Sequence, residues 1–100
     1  MKNLQQKIED FIAKRNWSQY HTPKNISMAL SVEVAELVEI FQWLTPDESY
    51  ELEGENLTHL EEEIGDIMIY LTTLASAYNM DPITAARKKI NKNGIKYPQP

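Results

Sequence analysis

Between Ala29 and Leu44 the chain reads A-L-S-V-E-V-A-E-L-V-E-I-F-Q-W-L, apolar around nearly a whole helical circumference yet interrupted by Glu33 and Glu36. Burying carboxylates among aliphatic side chains is costly unless something cationic meets them. A second pair, Glu63 and Asp66, repeats the three-residue spacing further along. On a helical wheel Glu33 and Glu36 lie roughly 60° apart, flanking Ala29 and Ile40, whereas Ser31, Glu39 and Gln42 cluster elsewhere. The two acids therefore turn away from the solvated side and Glu39 turns toward it. Glu63, Tyr70 and Asp66 form a narrow strip beside an apolar stripe, with Glu61 across the helix and Glu62 nearer the strip.

The surrounding elements follow from hydrophobic period and punctuation. Leu4, Ile8, Phe11 and Ile12 mark one face of an amphipathic helix over about Leu4–Arg15. Asn16–Lys24 reads as a loop in which Trp17, Tyr20 and His21 form either a lid on the core or a binding element. A second helix is expected from Asn25 or Ile26, with Asn25 as N-cap, to Leu44, where Thr45-Pro46-Asp47 ends it. Glu48–Asn56 is a polar connector. A third helix, Leu57–Tyr78, carries Leu57, Leu60, Ile64, Ile67, Leu71, Leu74 and Tyr78 as its core stripe. Asp81-Pro82 opens a fourth helix as N-cap and N1 residue, running to about Asn93, where Gly94 stops it. Lys96–Pro100 is a short tail. With no strand alternation and no glycine-rich phosphate loop, the expected fold is an all-α four-helix bundle. A helix apolar nearly all round, in so short a chain, is expected to pack against a second subunit as well.

Bulk properties narrow the classes. One hundred residues make one domain, 1–100. A net charge of -5 argues against binding a nucleic acid polymer. The absence of cysteine removes thiolate metal sites, disulfides and cysteine nucleophiles. No signal peptide or membrane-length apolar run is visible, so no membrane partner is expected and a cytoplasmic location is.

If the two acid pairs lie on consecutive antiparallel helices, they can face each other as a nest of about four carboxylates. Hard oxygen donors suit Mg²⁺, with Mn²⁺ as the alternative. No histidine stands at the i+3 position of either pair; His59, three residues before Glu62, is expected on the exposed polar side. A metal held mainly by carboxylates takes remaining ligands from substrate phosphates, which suggests metal-assisted phosphoanhydride hydrolysis. Arg87, Lys88, Lys89, Lys92 and Lys96 gather toward the C-terminus, where they suit either a phosphate or the negative end of a helix. Trp17, Trp43 and Tyr70 can stack on a base or serve as core.

At these residues the chain resembles a family. E33-V-A-E36 followed by E63-I-G-D66 is similar to the E-x-x-E…E-x-x-D signature of the MazG-type all-α nucleoside triphosphate pyrophosphohydrolases. The stretches R15-N-W-S-Q-Y-H-T-P-K-N25, F41-Q-W43, E62-E-I-G-D-I-M-I-Y-L71 and N93-G-I-K-Y-P98 resemble the dCTP pyrophosphatase branch, over about residues 4–98. The resemblance implies Mg²⁺-dependent cleavage of a (deoxy)nucleoside triphosphate, with dCTP-like pyrimidine nucleotides leading, to monophosphate and pyrophosphate. It implies Glu33, Glu36, Glu63 and Asp66 as metal ligands, one glutamate activating water. Trp17, Trp43 and Tyr70 would form the base and sugar pocket, and Lys89, Asn93, Lys96 and Tyr97 would contact phosphate. It also implies a dimer or dimer of dimers with shared sites. Gly94-Ile95 departs from the branch, which carries basic residues there. The competing expectation is a non-catalytic helical dimer that binds a nucleotide or partner protein; retention of all four acids favours the enzyme. A related pyrophosphatase acting on a phosphoribosyl nucleotide shares the chemistry but leaves the aromatic cluster unexplained.

Overall fold

Proline and threonine decide where the long helices begin. In the computed structural model, which describes Met1–Pro100, the helices are α1 (Lys2–Lys14), α2 (Pro23–Phe41), α3 (Glu55–Ser76) and α4 (Pro82–Lys96), with 3₁₀ turns at Ser18–Tyr20 and Glu48–Tyr50 and no strand. The all-α, four-helix expectation holds. The start of α2 differs: Thr22, not Asn25, is the N-cap, its hydroxyl accepting from the Asn25 backbone N–H at 3.2 Å. Pro23 occupies the first turn, where its missing N–H would have no helical partner anyway. The Asn25 side chain instead donates to the Tyr20 carbonyl at 3.1 Å, tying the preceding loop to the helix.

The α2–α3 connection is ordered by local exchange. Thr45 N–H donates to the Glu48 carboxylate at 2.9 Å and Glu48 N–H to the Thr45 hydroxyl at 3.2 Å, the reciprocal pattern of a capping box. Gly54 then holds φ 62° and ψ -136° at the entry to α3, a backbone region that side-chain-bearing residues rarely occupy. Asn79 closes the α3–α4 corner in the left-handed region, φ 56°. Asp81 caps α4 as expected, accepting from Ile83 N–H at 2.8 Å and Thr84 N–H at 3.2 Å. Gly94 does not stop α4, which continues to Lys96. A glycine inside a helix costs only about 1 kcal/mol relative to alanine, and the chain has no reason to turn there.

α2 and α3 are the packed pair. Glu33 meets Glu63, while Pro23 and Ser27 share a cavity with Leu74 and Tyr78, so the two helices run antiparallel. α1 lies along the other side of α3, its Gln5 side chain donating to the Ser76 hydroxyl at 3.2 Å and the Met80 carbonyl at 3.0 Å. α4 packs on α3.

The resulting chain is open. A compact 100-residue chain has a radius of gyration of about 13 Å; here it is 16.4 Å. Only Ile8, Ile12, Ile26, Glu63 and Thr72 are buried. The expected α3 core stripe is therefore only partly a core: Leu60, Ile67 and Leu74 are half-buried, but Leu57, Ile64, Leu71 and Tyr78 are exposed. Three helices cannot enclose a helix this apolar from all directions. On α2 the residues Met28, Val32 and Val38 share the outward side with Glu39 and are likewise exposed.

Asp81→Ala removes both cap acceptors of α4. It is expected to destabilise the fold by about 1 kcal/mol, seen as a lower denaturant midpoint with an unchanged slope, whereas Asp81→Asn should retain most of the stability.

Candidate active site

Helical period alone turns Glu33 toward α3, and α3 returns Glu63 to meet it. Carboxylate oxygens of Glu33, Glu36 and Glu63 all lie within 4.8 Å of one another. Glu63 is buried, 4 % exposed, Glu33 is half-buried and Glu36 is open to solvent. One oxygen of Glu33 and one of Glu63, Oε2 in each, is buried with no hydrogen-bond partner. Unpaired buried acceptors are rare because their lost hydration is not repaid.

The electrostatics record that crowding. Glu33 is raised from 4.5 to about 7, first by its hydrogen bond with the Glu63 carboxyl, then by burial, then by the negative charges of Glu36, Glu63 and Asp66. Glu63 is also raised: the bond from Glu33 favours its charged form, but burial and the neighbours Glu36 and Asp66 outweigh it. Two such carboxyls act as one proton-sharing pair. Asp66 acts on both as a charge without joining the trio. The step from Glu63 to Asp66 turns it by roughly 60°, to the side of α3 facing α1.

There Asp66 lines a cavity of about 430 Å³ with Tyr70 and Ile69 from α3, Leu4, Lys7, Ile8, Phe11 and Ile12 from α1, and Trp17 and His21 from the loop. The loop wall is pre-stacked. Trp17 meets Phe11 edge-on, centroids 5.7 Å apart and planes at 68°, and His21 lies 6.4 Å from Trp17. The Arg15 guanidinium covers the Phe11 ring at 3.5 Å. His21 Nδ1 is buried without a partner.

Of the residues singled out from sequence, Glu33, Glu36 and Glu63 come together, and Asp66, Trp17 and Tyr70 adjoin them. Trp43 is 87 % exposed at the end of α2. Lys89 and Asn93 lie on α4, with Lys96 at its last position and Tyr97 just beyond, the Lys96 ammonium 5.3 Å from the Tyr97 ring. These five do not line the cavity. Phe11, His21 and Lys7 do line it; of these only His21, in the ring-rich loop, carries a sequence signal for that place. His59 is exposed as expected, but its Nε2 reaches Glu63 Oε1 at 3.6 Å rather than pairing with Glu62.

This donor set fits a small divalent cation. It offers hard oxygens from three carboxylates, two of them with a buried unpaired oxygen, and a proton held at a raised pKa where a cation would replace it.

Known proteins agree with the class that fold and site define. A profile of the MazG-like family matches residues 28–100. The crystal structure of a pyrophosphatase from Archaeoglobus fulgidus superimposes with a TM-score of 0.92 at 43% sequence identity, covering 99% of this chain and 93% of that one. The dCTP pyrophosphatase 1 proteins of Bos taurus and Homo sapiens are 40% and 38% identical over 92 and 91 residues, or 89% of this chain and 54% of theirs. The chain spans about half the length of those mammalian relatives. It belongs to the MazG-like family.

The shared proton fixes a pH dependence in metal-free protein. Between about 4.5 and about 7 Glu33 is protonated when folded and ionised when unfolded, so the folded state binds more protons and stability falls as pH rises. Thermal unfolding at pH 5 to 8 in chelator should show this decline. Glu33→Gln should flatten it.

Proposed function

We propose that this protein hydrolyses (deoxy)nucleoside triphosphates between the α and β phosphates, giving monophosphate and pyrophosphate, with dCTP or a related pyrimidine nucleotide as substrate. The observation that carries the reading is an acid trio with unpaired buried oxygens beside an aromatic-walled cavity, in a MazG-like chain. The dCTP-directed relatives add the choice of nucleotide.

Glu33, Glu36 and Glu63, with Asp66 at the cavity edge, would hold a divalent cation, Mg²⁺ or Mn²⁺. When bound, the cation neutralises phosphate charge and lowers the pKa of an attacking water. A glutamate not fully engaged as a ligand accepts the water's proton. Trp17 and Tyr70 flank the base, with Phe11 and His21 completing the wall, and the cavity's apolar lining excludes water from that end.

The protein acts as a homo-oligomer, dimer or tetramer. Support comes from the exposed apolar sides of α2 and α3, larger than a chain with five buried residues can cover. Trp43, Lys89, Asn93, Lys96 and Tyr97, which stand apart from the trio within one chain, meet the substrate from a second copy. Ultracentrifugation should give a mass that is a multiple of 11.6 kDa, and Val32→Asp on the outward side of α2 should shift it toward monomer.

A panel of canonical and modified triphosphates with Mg²⁺ or Mn²⁺, resolving pyrophosphate from phosphate, tests the reaction. dCTP turnover to dCMP and pyrophosphate is expected. Glu36→Gln should lower kcat by about 10²–10⁴-fold with little change in Tm, because Glu36 is exposed. A nucleotide that raised Tm without being consumed would instead support a binding role.

A further inference from the structure

Trp17 is held in the cavity wall by two contacts, and only one of them is local backbone. α1 ends on Arg15 as its C-cap, and Asn16 follows in the left-handed region at φ 56°. The Asn16 N–H donates to the Ala13 carbonyl at 3.1 Å, and the Trp17 N–H to the Ile12 carbonyl at 3.1 Å. That pair of bonds is a Schellman ending, which brings the second residue past the cap against the last turn of the helix. Here it sets Trp17 edge-on to Phe11, centroids 5.7 Å apart.

The second contact is Arg15. Its guanidinium carbon lies 3.5 Å from the Phe11 ring centroid and 6.0 Å from that of Trp17, and its Nη1 donates to the Phe11 carbonyl at 3.1 Å. The only ion pair in the chain joins His59 to Glu63, so Arg15 answers no carboxylate. Nor does it line the cavity. Phe11 and Trp17 are 48% and 43% exposed, so core packing alone does not fix either ring. A planar cation over Phe11 fixes the ring against which Trp17 rests.

We infer that Arg15 is a positioning residue for the base site: from outside the cavity it clamps Phe11, and through Phe11 it keeps Trp17 in place before a base enters. This rests on the reading of that cavity as the base site. A wall ordered in advance spares the cost of ordering it at binding. Loss of the clamp therefore falls on substrate affinity and not on the chemical step at the acid trio.

Three substitutions in the full-length protein test this. Arg15→Met keeps the side-chain stem and removes the cation. Arg15→Lys keeps a cation without the planar fork. Lys14→Met removes a neighbouring charge that lies over no ring. In a Trp43→Phe background Trp17 is the one tryptophan left, and acrylamide quenching of ligand-free protein reads how firmly it is held. Quenching is expected to rise in Arg15→Met, to match the parent in Lys14→Met and to fall between in Arg15→Lys, with helical content retained in all three. With both tryptophans present, KM for dCTP and Kd for its non-hydrolysable α,β-imido analogue should rise about 2–5-fold in Arg15→Met, the size one exposed cation–π contact supports. kcat should hold, and Arg15→Lys should recover part of the affinity. Unchanged quenching or unchanged KM in Arg15→Met, a fall in kcat at constant KM, or an equal effect from Lys14→Met overturns the assignment and leaves the base-site reading standing. A wild type that neither binds the analogue nor turns over any triphosphate overturns both.

Discussion

Everything else in this structure depends on a like-charge contact, the meeting of Glu33 and Glu63 across the α2–α3 interface. Two carboxylates in one half-buried place repel each other, and each also loses water. The chain resolves this by keeping a proton between them, which is why Glu33 stands at about 7. Such an arrangement contributes nothing to folding that a leucine pair would not do better. It is retained at the centre of the best-packed interface, with two acceptor oxygens left unpaired. A proton shared there and two bare oxygens are also what a small divalent cation would fit.

The helices around this contact do two jobs with different sides. The inward side of α2 and the Glu63 side of α3 bring the acids together. The α1 side of α3 builds the cavity, with Asp66 at the seam between the two. The Trp17–His21 segment closes that cavity because Thr22 and Pro23 start α2 immediately after it and Asn25 reaches back to Tyr20. The helix cap is thus also what positions the aromatic wall. Charge and aromatic surface become adjacent without any residue having to serve both.

The remaining sides are apolar and open. A chain this short can enclose little surface by itself, and this one spreads its helices instead of folding them into a ball. Met28, Val32 and Val38 on α2, and Ile64 and Leu71 on α3, carry the same aliphatic character as a core without being covered. That surplus gives the chain its low burial: the apolar area exists, but the chain's own packing leaves it in water.

Much of this was legible in the sequence. Period and punctuation fixed four helices, the Asp81-Pro82 start and the shared side of Glu33 and Glu36, because each depends on residues within one or two helical turns; that Glu36 stays open to solvent while Glu33 is half-buried was not readable this way. The two acid pairs together with the aromatic and C-terminal stretches around them carried the resemblance to the family. Other features were not legible, because a wheel gives an angle but neither a neighbour nor a distance. It could not separate Asp66 from the trio, since a 60° step matters only once α1 is known to occupy that side. It could not place His59 against Glu63, or bring His21 into the cavity with Tyr70. The α3 stripe read as core because period reports which side is apolar, not whether anything covers it. The sequence by itself determined which residues carry charge and on which side of which helix. Only the tertiary structure decided which charges are forced to share a proton, because that depends on the distance between two helices.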